Sequence, residues 1–85
     1  MKPDAADPAR AESARLDEAL RVAHAAGDGA RLAALYEEAA ALKSRSDEPE
    51  AALFLTVQAY IHALEQGAPA ADRLRAVLVA AGREA

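Results

Sequence analysis

Apolar residues along this chain recur every three to four positions in four successive segments, and clusters of Gly, Pro and Asp separate those segments. This spacing is typical of helices that bury one side. The pattern predicts four helices, from Pro8 to about Ala26, from about Ala30 to Arg45, from Pro49 to about Gln66 and from Pro69 to Gly82. We therefore expect an all-α fold.

Local signals support the first two helices. Asp7 and Pro8 form a start signal, because Asp accepts hydrogen bonds from free backbone N–H groups and Pro has no donor to leave unpaired in the first turn. Gly27 can adopt the left-handed conformation that ends a helix, and Asp28 can cap the next one. So short a linker predicts an antiparallel hairpin.

The second half of the chain has the same organisation. Asp47 and Glu50 have the spacing of a capping box, with Pro49 in the first turn of the third helix. Gly67 is expected to end that helix. The two halves together predict two antiparallel helical hairpins, arranged as a stack or as a small bundle.

The third segment is apolar around most of its circumference, which predicts a helix that is covered on more than one side. Its densest stripe is expected to face inward and consists of Leu53, Val57, Tyr60, Ile61 and Leu64. We therefore expect this helix to be the centre of the fold, with the other helices around it. The last helix is expected to bury Leu74, Val77, Leu78 and Ala81.

The length of 85 residues allows one compact domain. We expect a disordered N-terminus over residues 1–7, a single all-helical domain over 8–82 and a short C-terminal tail over 83–85. Hydrophobic residues make up 53% of the chain, but Ala supplies about half of them. Cohesion should therefore come from close approach of helices rather than from bulky side chains.

The net charge and the apolar runs of the chain disfavour nucleic-acid binding and membrane insertion. The net charge of −4 disfavours nucleic acid as a partner, because phosphate binding needs a basic surface. The chain has no Cys, shows no apolar run typical of a signal peptide and has no apolar stretch long enough to span a bilayer. We expect a cytoplasmic protein that does not bind membranes, and the abundance of Ala and Arg suggests a bacterial source.

Candidate chemistry is sparse. His62 follows Gln58 by one helical turn, and the two side chains could line a pocket for a polar ligand, although a partly buried histidine paired with a carbonyl group or water is the simpler interpretation. His24 and His62 lack a third residue at a metal-ligand spacing, and no nucleophile, base and acid occur together. We expect no metal, no cofactor and no catalysis.

Small residues at expected helix contacts, with aromatic residues beside them and a Gly or Pro at the turns, give the chain an architectural likeness to a known superfamily. The small residues are Ala39, Ala59 and Ala63, and the aromatic ones are Tyr36, Phe54 and Tyr60. From Ala9 to Gly82 the chain resembles the tetratricopeptide-repeat-like superfamily of helical hairpins. This resemblance implies a scaffold that binds a peptide or another protein without catalysis.

Two hypotheses for function follow. The first is a protein–protein interaction module, an adaptor or scaffold whose partner is another protein, a peptide or a second copy of the chain. Its expected contact residues are Phe54, Leu55, Gln58, Ala59 and His62. The second is a small-ligand-binding or regulatory subunit with a pocket near Tyr60 and His62. An enzyme is the least supported class.

Overall fold

The computed structural model describes residues 8–82, and within this range it contains four helices and no strand. They are α1 (Pro8–Ala26), α2 (Gly29–Arg45), α3 (Pro49–Gln66) and α4 (Ala70–Ala80). The predicted all-α fold is confirmed, and each helix bound lies within two residues of its expected position. The expected disordered N-terminus, residues 1–7, and the tail, residues 83–85, lie outside the described residues.

The connections between α1 and α2 and between α3 and α4 form as the sequence predicts. Gly27 has a φ of 65°, and the N–H of Asp28 donates to the carbonyl oxygen of Ala23 over 3.0 Å. The Asp28 carboxylate then caps α2 by accepting from the N–H of Arg31 over 3.1 Å. Gly67 also has a φ of 65°, so both turns use glycine where the backbone is left-handed.

The connection between α2 and α3 differs from the prediction. Asp47, not a glycine, takes the left-handed conformation, with a φ of 59°. The N–H of Glu48 donates to the carbonyl oxygen of Lys43 over 2.9 Å, which completes the end of α2. Glu48 is the N-cap of α3 and makes no side-chain capping bond, so the expected capping box of Asp47 and Glu50 is wrong. Pro49 does occupy the first turn of α3.

The helices pack as a thin layer in which each helix contacts the next one along the chain. The α2–α3 contact is the most extensive, while α1 packs on α2 and α4 packs on α3. The backbone measures 48 × 31 × 15 Å along its principal axes. The expectation that α3 alone forms the centre is therefore wrong, because α2 and α3 share the central position.

The core consists of two clusters that meet along α2 and α3. The first joins α1 to α2 and is formed by Leu16, Ala23, Leu32, Leu35, Ala39 and Leu42. The second joins α3 to α4 and is formed by Ala59, Ala63, Ala71 and Leu74. Tyr36 of α2 packs against both clusters and so connects them.

Helix α3 turns its small residues inward. Ala59 and Ala63 are both 0% exposed, and the buried hydroxyl of Thr56 donates to the backbone carbonyl oxygen one turn earlier over 2.8 Å. By contrast, Ile61 is 42% exposed and Leu64 is 52% exposed, so the expected inward orientation of the large apolar stripe is wrong. Small side chains let two helices approach closely, and dispersion attraction between the closely packed backbones favours this orientation.

Helix α4 buries only part of its expected stripe. Leu74 and Leu78 are buried as the sequence predicts. Val77 and Ala81 are exposed, so their expected burial is wrong. Because α4 has backbone contacts only with α3, it needs a narrower apolar side than a helix covered by two neighbours.

Candidate functional site

The largest exposed apolar feature of α3 is its side opposite α2. We define the outer face of α3 as Phe54, Val57, Ile61 and Leu64, which repeat at intervals of three and four residues along one side of the helix. Phe54 is 63% exposed, and Val57 is half-buried. These side chains therefore form a continuous apolar strip on the surface.

The neighbouring helices flank this strip without covering it. On one side of α3, Leu55 packs against the core between α1 and α2. On the other side, Tyr60 packs against the cluster between α3 and α4. The positions between these two flanks, including Ile61, stay open to solvent.

The charged residues that α3 itself contributes are acidic. Helix α3 contains Glu50 and Glu65 and no Lys or Arg. Glu65 is exposed, and its Oε1 lies 3.5 Å from Nδ1 of His62. The outer face is therefore an apolar strip with a carboxylate near each end.

A cluster of rings lies on the α1 side of α3. The ring of His62 stacks on Tyr36 of α2, with ring centroids 5.6 Å apart and an interplanar angle of 4°. The hydroxyl of Tyr36 lies 3.0 Å from Nε2 of His24 of α1, and the centroids of the two histidine rings are 6.2 Å apart. The cluster joins side chains from three helices and explains why most of the His62 side chain is buried.

The five residues expected to bind a partner have different positions. Phe54 lies on the outer face, whereas Leu55 and Gln58 are half-buried on the flank of α3 that faces α1. Ala59 is completely buried against α2 and offers no surface to a partner. His62 belongs to the ring cluster.

The structure does not bring Tyr60 and His62 together in one contact. Tyr60 packs toward α4, and His62 stacks on a ring of α2. Side chains two positions apart on a helix point in nearly opposite directions, and this accounts for the separation. The exposed residues of α3 that its apolar pattern wrongly placed in the core are Ile61 and Leu64.

A groove lies between α2, α3 and α4. Its volume is about 450 Å³, and its walls are mainly apolar. The walls include the side chains of Ala40, Ala52, Leu53 and Leu74. Arg73 of α4 forms a bidentate ion pair with Glu37 of α2 at the edge of this groove. The pair connects two helices that have no backbone contact with each other.

The described residues do not meet the requirements of a metal site or a membrane span. Across residues 8–82, no group of three or more His, Cys, Asp or Glu side chains is placed to hold a metal ion. None of the four described helices combines the length and hydropathy needed to cross a membrane.

No protein-family model, curated protein or solved structure matches this chain. Its function must therefore follow from the geometry and chemistry of its own residues.

Proposed function

We propose that this chain is a small, non-catalytic protein–protein interaction module that binds its partner through the outer face of α3. The observation that carries the proposal is the exposure of Phe54, Ile61 and Leu64 on one side of a helix that buries alanines on the other. Contiguous apolar surface on a folded domain is typical of a binding site. The resemblance to tetratricopeptide-repeat-like hairpins points to the same function.

The spacing of the outer face fits recognition of an elongated apolar partner. Anchors at intervals of three, four and seven residues are those that an amphipathic helix presents to a hydrophobic groove or to another helix. Complete burial of a Val, Leu, Ile or Phe side chain contributes about 1.5–3 kcal/mol, and a half-exposed one contributes correspondingly less. A complex through this face alone is therefore expected to be of moderate affinity and reversible.

Small-ligand binding is the alternative function, and its support is weaker. The expected pocket near Tyr60 and His62 requires both side chains to face one cavity, but they pack on different neighbours. A thermal-shift screen of small apolar and polar ligands, repeated with His62→Ala, tests this alternative. A ligand that stabilises the native chain but not the variant would favour it.

The proposed function can be tested by site-specific photo-crosslinking in the native organism. A photoreactive amino acid at position 61 should capture one discrete protein, because Ile61 lies in the middle of the outer face. The matched control places the same amino acid at position 79, since Val79 has nearly the same exposure, 41%, but lies on α4. The captured protein is then purified and titrated against the native chain and the Ile61→Glu variant.

Two results together would support the proposal. The protein captured from position 61 should be absent at position 79, and Ile61→Glu should weaken its binding at least tenfold while leaving the helical circular dichroism unchanged. Equal capture from both positions would contradict the proposal. So would undiminished binding of the Ile61→Glu variant.

A further inference from the structure

We propose that the partner of the outer face is a second copy of this chain, with the two α3 helices antiparallel across a two-fold axis. This inference rests on the proposed function and specifies its partner. The spacing of the apolar residues and the placement of the charges support it, and the size of the strip sets the expected affinity.

The spacing of the apolar residues, at intervals of three, four and three positions, is the same in both directions along α3. Phe54 and Leu64 lie at equal distances on either side of position 59, as do Val57 and Ile61. An antiparallel pair centred at this level therefore sets Phe54 of one copy against Leu64 of the other, and Val57 against Ile61. Each contact occurs twice, which is what a two-fold symmetric interface requires.

The charges on α3 are compatible with this register. The same pairing places Glu65 opposite Leu53 of the second copy, and it places Glu50 past the end of the facing α3, which ends at Gln66. A parallel pairing would instead place each of these carboxylates beside its own counterpart, and adjacent like charges oppose association. The antiparallel arrangement thus buries the apolar strip without bringing the carboxylates of the two α3 helices together.

The size of the strip predicts a weak dimer. Burying one such side chain completely removes on the order of 100 Å² of apolar surface from water. Four partly exposed side chains therefore supply a few hundred Å² per copy, as an order-of-magnitude estimate, compared with about 800 Å² per partner in a standard stable interface. We expect dissociation in the micromolar range or weaker.

Sedimentation equilibrium between about 10 µM and 1 mM protein tests self-association. The native chain should shift from monomer toward dimer across this range. Ile61→Glu should remain monomeric, because it places a carboxylate in the middle of the strip. Val79→Glu is the matched control and should dimerise like the native chain. Circular dichroism of each variant establishes that it is folded.

The register is tested with single-cysteine variants, which the chain allows because it has no cysteine of its own. Phe54→Cys and Leu64→Cys proteins are mixed, and a short bis-maleimide is added. The antiparallel register predicts mainly the mixed product. Products that each join two identical variants would overturn this arrangement in favour of a parallel one.

The outcomes for the second copy and for the proposed function are distinguishable. If the native chain stays monomeric at 1 mM, or if the Ile61→Glu variant still dimerises, the inference that the partner is a second copy is wrong. If position 61 nevertheless captures a different protein in the crosslinking experiment, the proposed function stands and only this inference fails. If the native chain stays monomeric at 1 mM and position 61 captures no protein, both fail.

Discussion

The rings of Tyr36 and His62 are stacked nearly parallel, with their centroids 5.6 Å apart and their planes 4° from parallel. The Tyr36 hydroxyl also lies within hydrogen-bond distance of His24, 3.0 Å from its Nε2. Helix α1 has no backbone contact with α3, so this cluster is a side-chain connection between them through α2.

Separate variants should distinguish the stack from the hydrogen bond. We expect His62→Ala to lower the free energy of unfolding by about 1 kcal/mol, because a pair of stacked rings is worth about 0.5–1.5 kcal/mol. Tyr36→Phe keeps the stack and removes only a solvent-accessible hydrogen bond, so its cost should be about 0.5 kcal/mol. Urea unfolding followed by circular dichroism measures both. A larger loss for Tyr36→Phe than for His62→Ala would contradict this assignment.

Enlarging Ala59 should strongly destabilise the fold. Ala59 is completely buried where α2 and α3 pack most extensively, so a larger side chain must push these helices apart. We expect Ala59→Leu to cost about 1–3 kcal/mol, the usual range for overpacking. Ala76→Leu is the control, because Ala76 is exposed on α4 and a surface change usually costs less than about 0.5 kcal/mol. Thermal and urea unfolding of the two variants compares them directly.

Substitutions at two residues in the left-handed conformation should change the free energy of unfolding in opposite directions. At Gly67 nothing lies within 4 Å of an added Cβ, so Gly67→Ala introduces backbone strain without a clash. It should lower the free energy of unfolding by about 1 kcal/mol. Asp47→Gly should have the reverse effect, with a gain of a few tenths of a kcal/mol to about 1 kcal/mol, because Asp47 already has a φ of 59°. Urea unfolding gives both values, and a stabilising Gly67→Ala would disprove this account.

Acidic pH should weaken the surface ion pairs of α1. The hydrogen bonds from Arg15 hold the pKa of Glu12 below its ordinary value, and those from Arg21 do the same for the pKa of Glu18. Because each pKa is lower in the folded state, the stabilisation is fully present above about pH 4.3, the ordinary pKa of Glu. It is lost as the pH falls through the lowered values.

The matched variant for this prediction is Glu12→Gln combined with Glu18→Gln. The difference in the free energy of unfolding between the native chain and this double variant should be largest near neutral pH and shrink below about pH 4. High salt should reduce the same difference, since all of these side chains are exposed. A difference that grows on acidification would contradict the prediction.

The helix bounds could be predicted because they depend on local chemistry. Gly27, Asp28, Pro49 and Gly67 act through backbone conformation and hydrogen bonds with near neighbours in the chain. The failed capping box also has a local cause. Asp47 is already used as the left-handed residue after α2, so it is not available to cap α3.

The orientation of α3 could not be predicted from its hydrophobicity alone. Periodicity locates the large apolar side chains, but it does not give the distance between helices, and that distance favours Ala59 and Ala63 in the contact with α2. Counting large residues placed Ile61 and Leu64 in the core for this reason. Val77 on α4 shows the same error, since it was expected to be buried but is 47% exposed beside the groove.

The thin layer of sequentially packed helices also bears on how fast the chain folds. Among residues 8–82, the backbone contacts between helices all join helices that follow one another along the chain, so the mean sequence separation of contacting residues is small. Helical proteins with such low contact order fold in microseconds to milliseconds. We therefore expect this chain to reach its native state without a slow search, with each hairpin closing soon after its own turn forms.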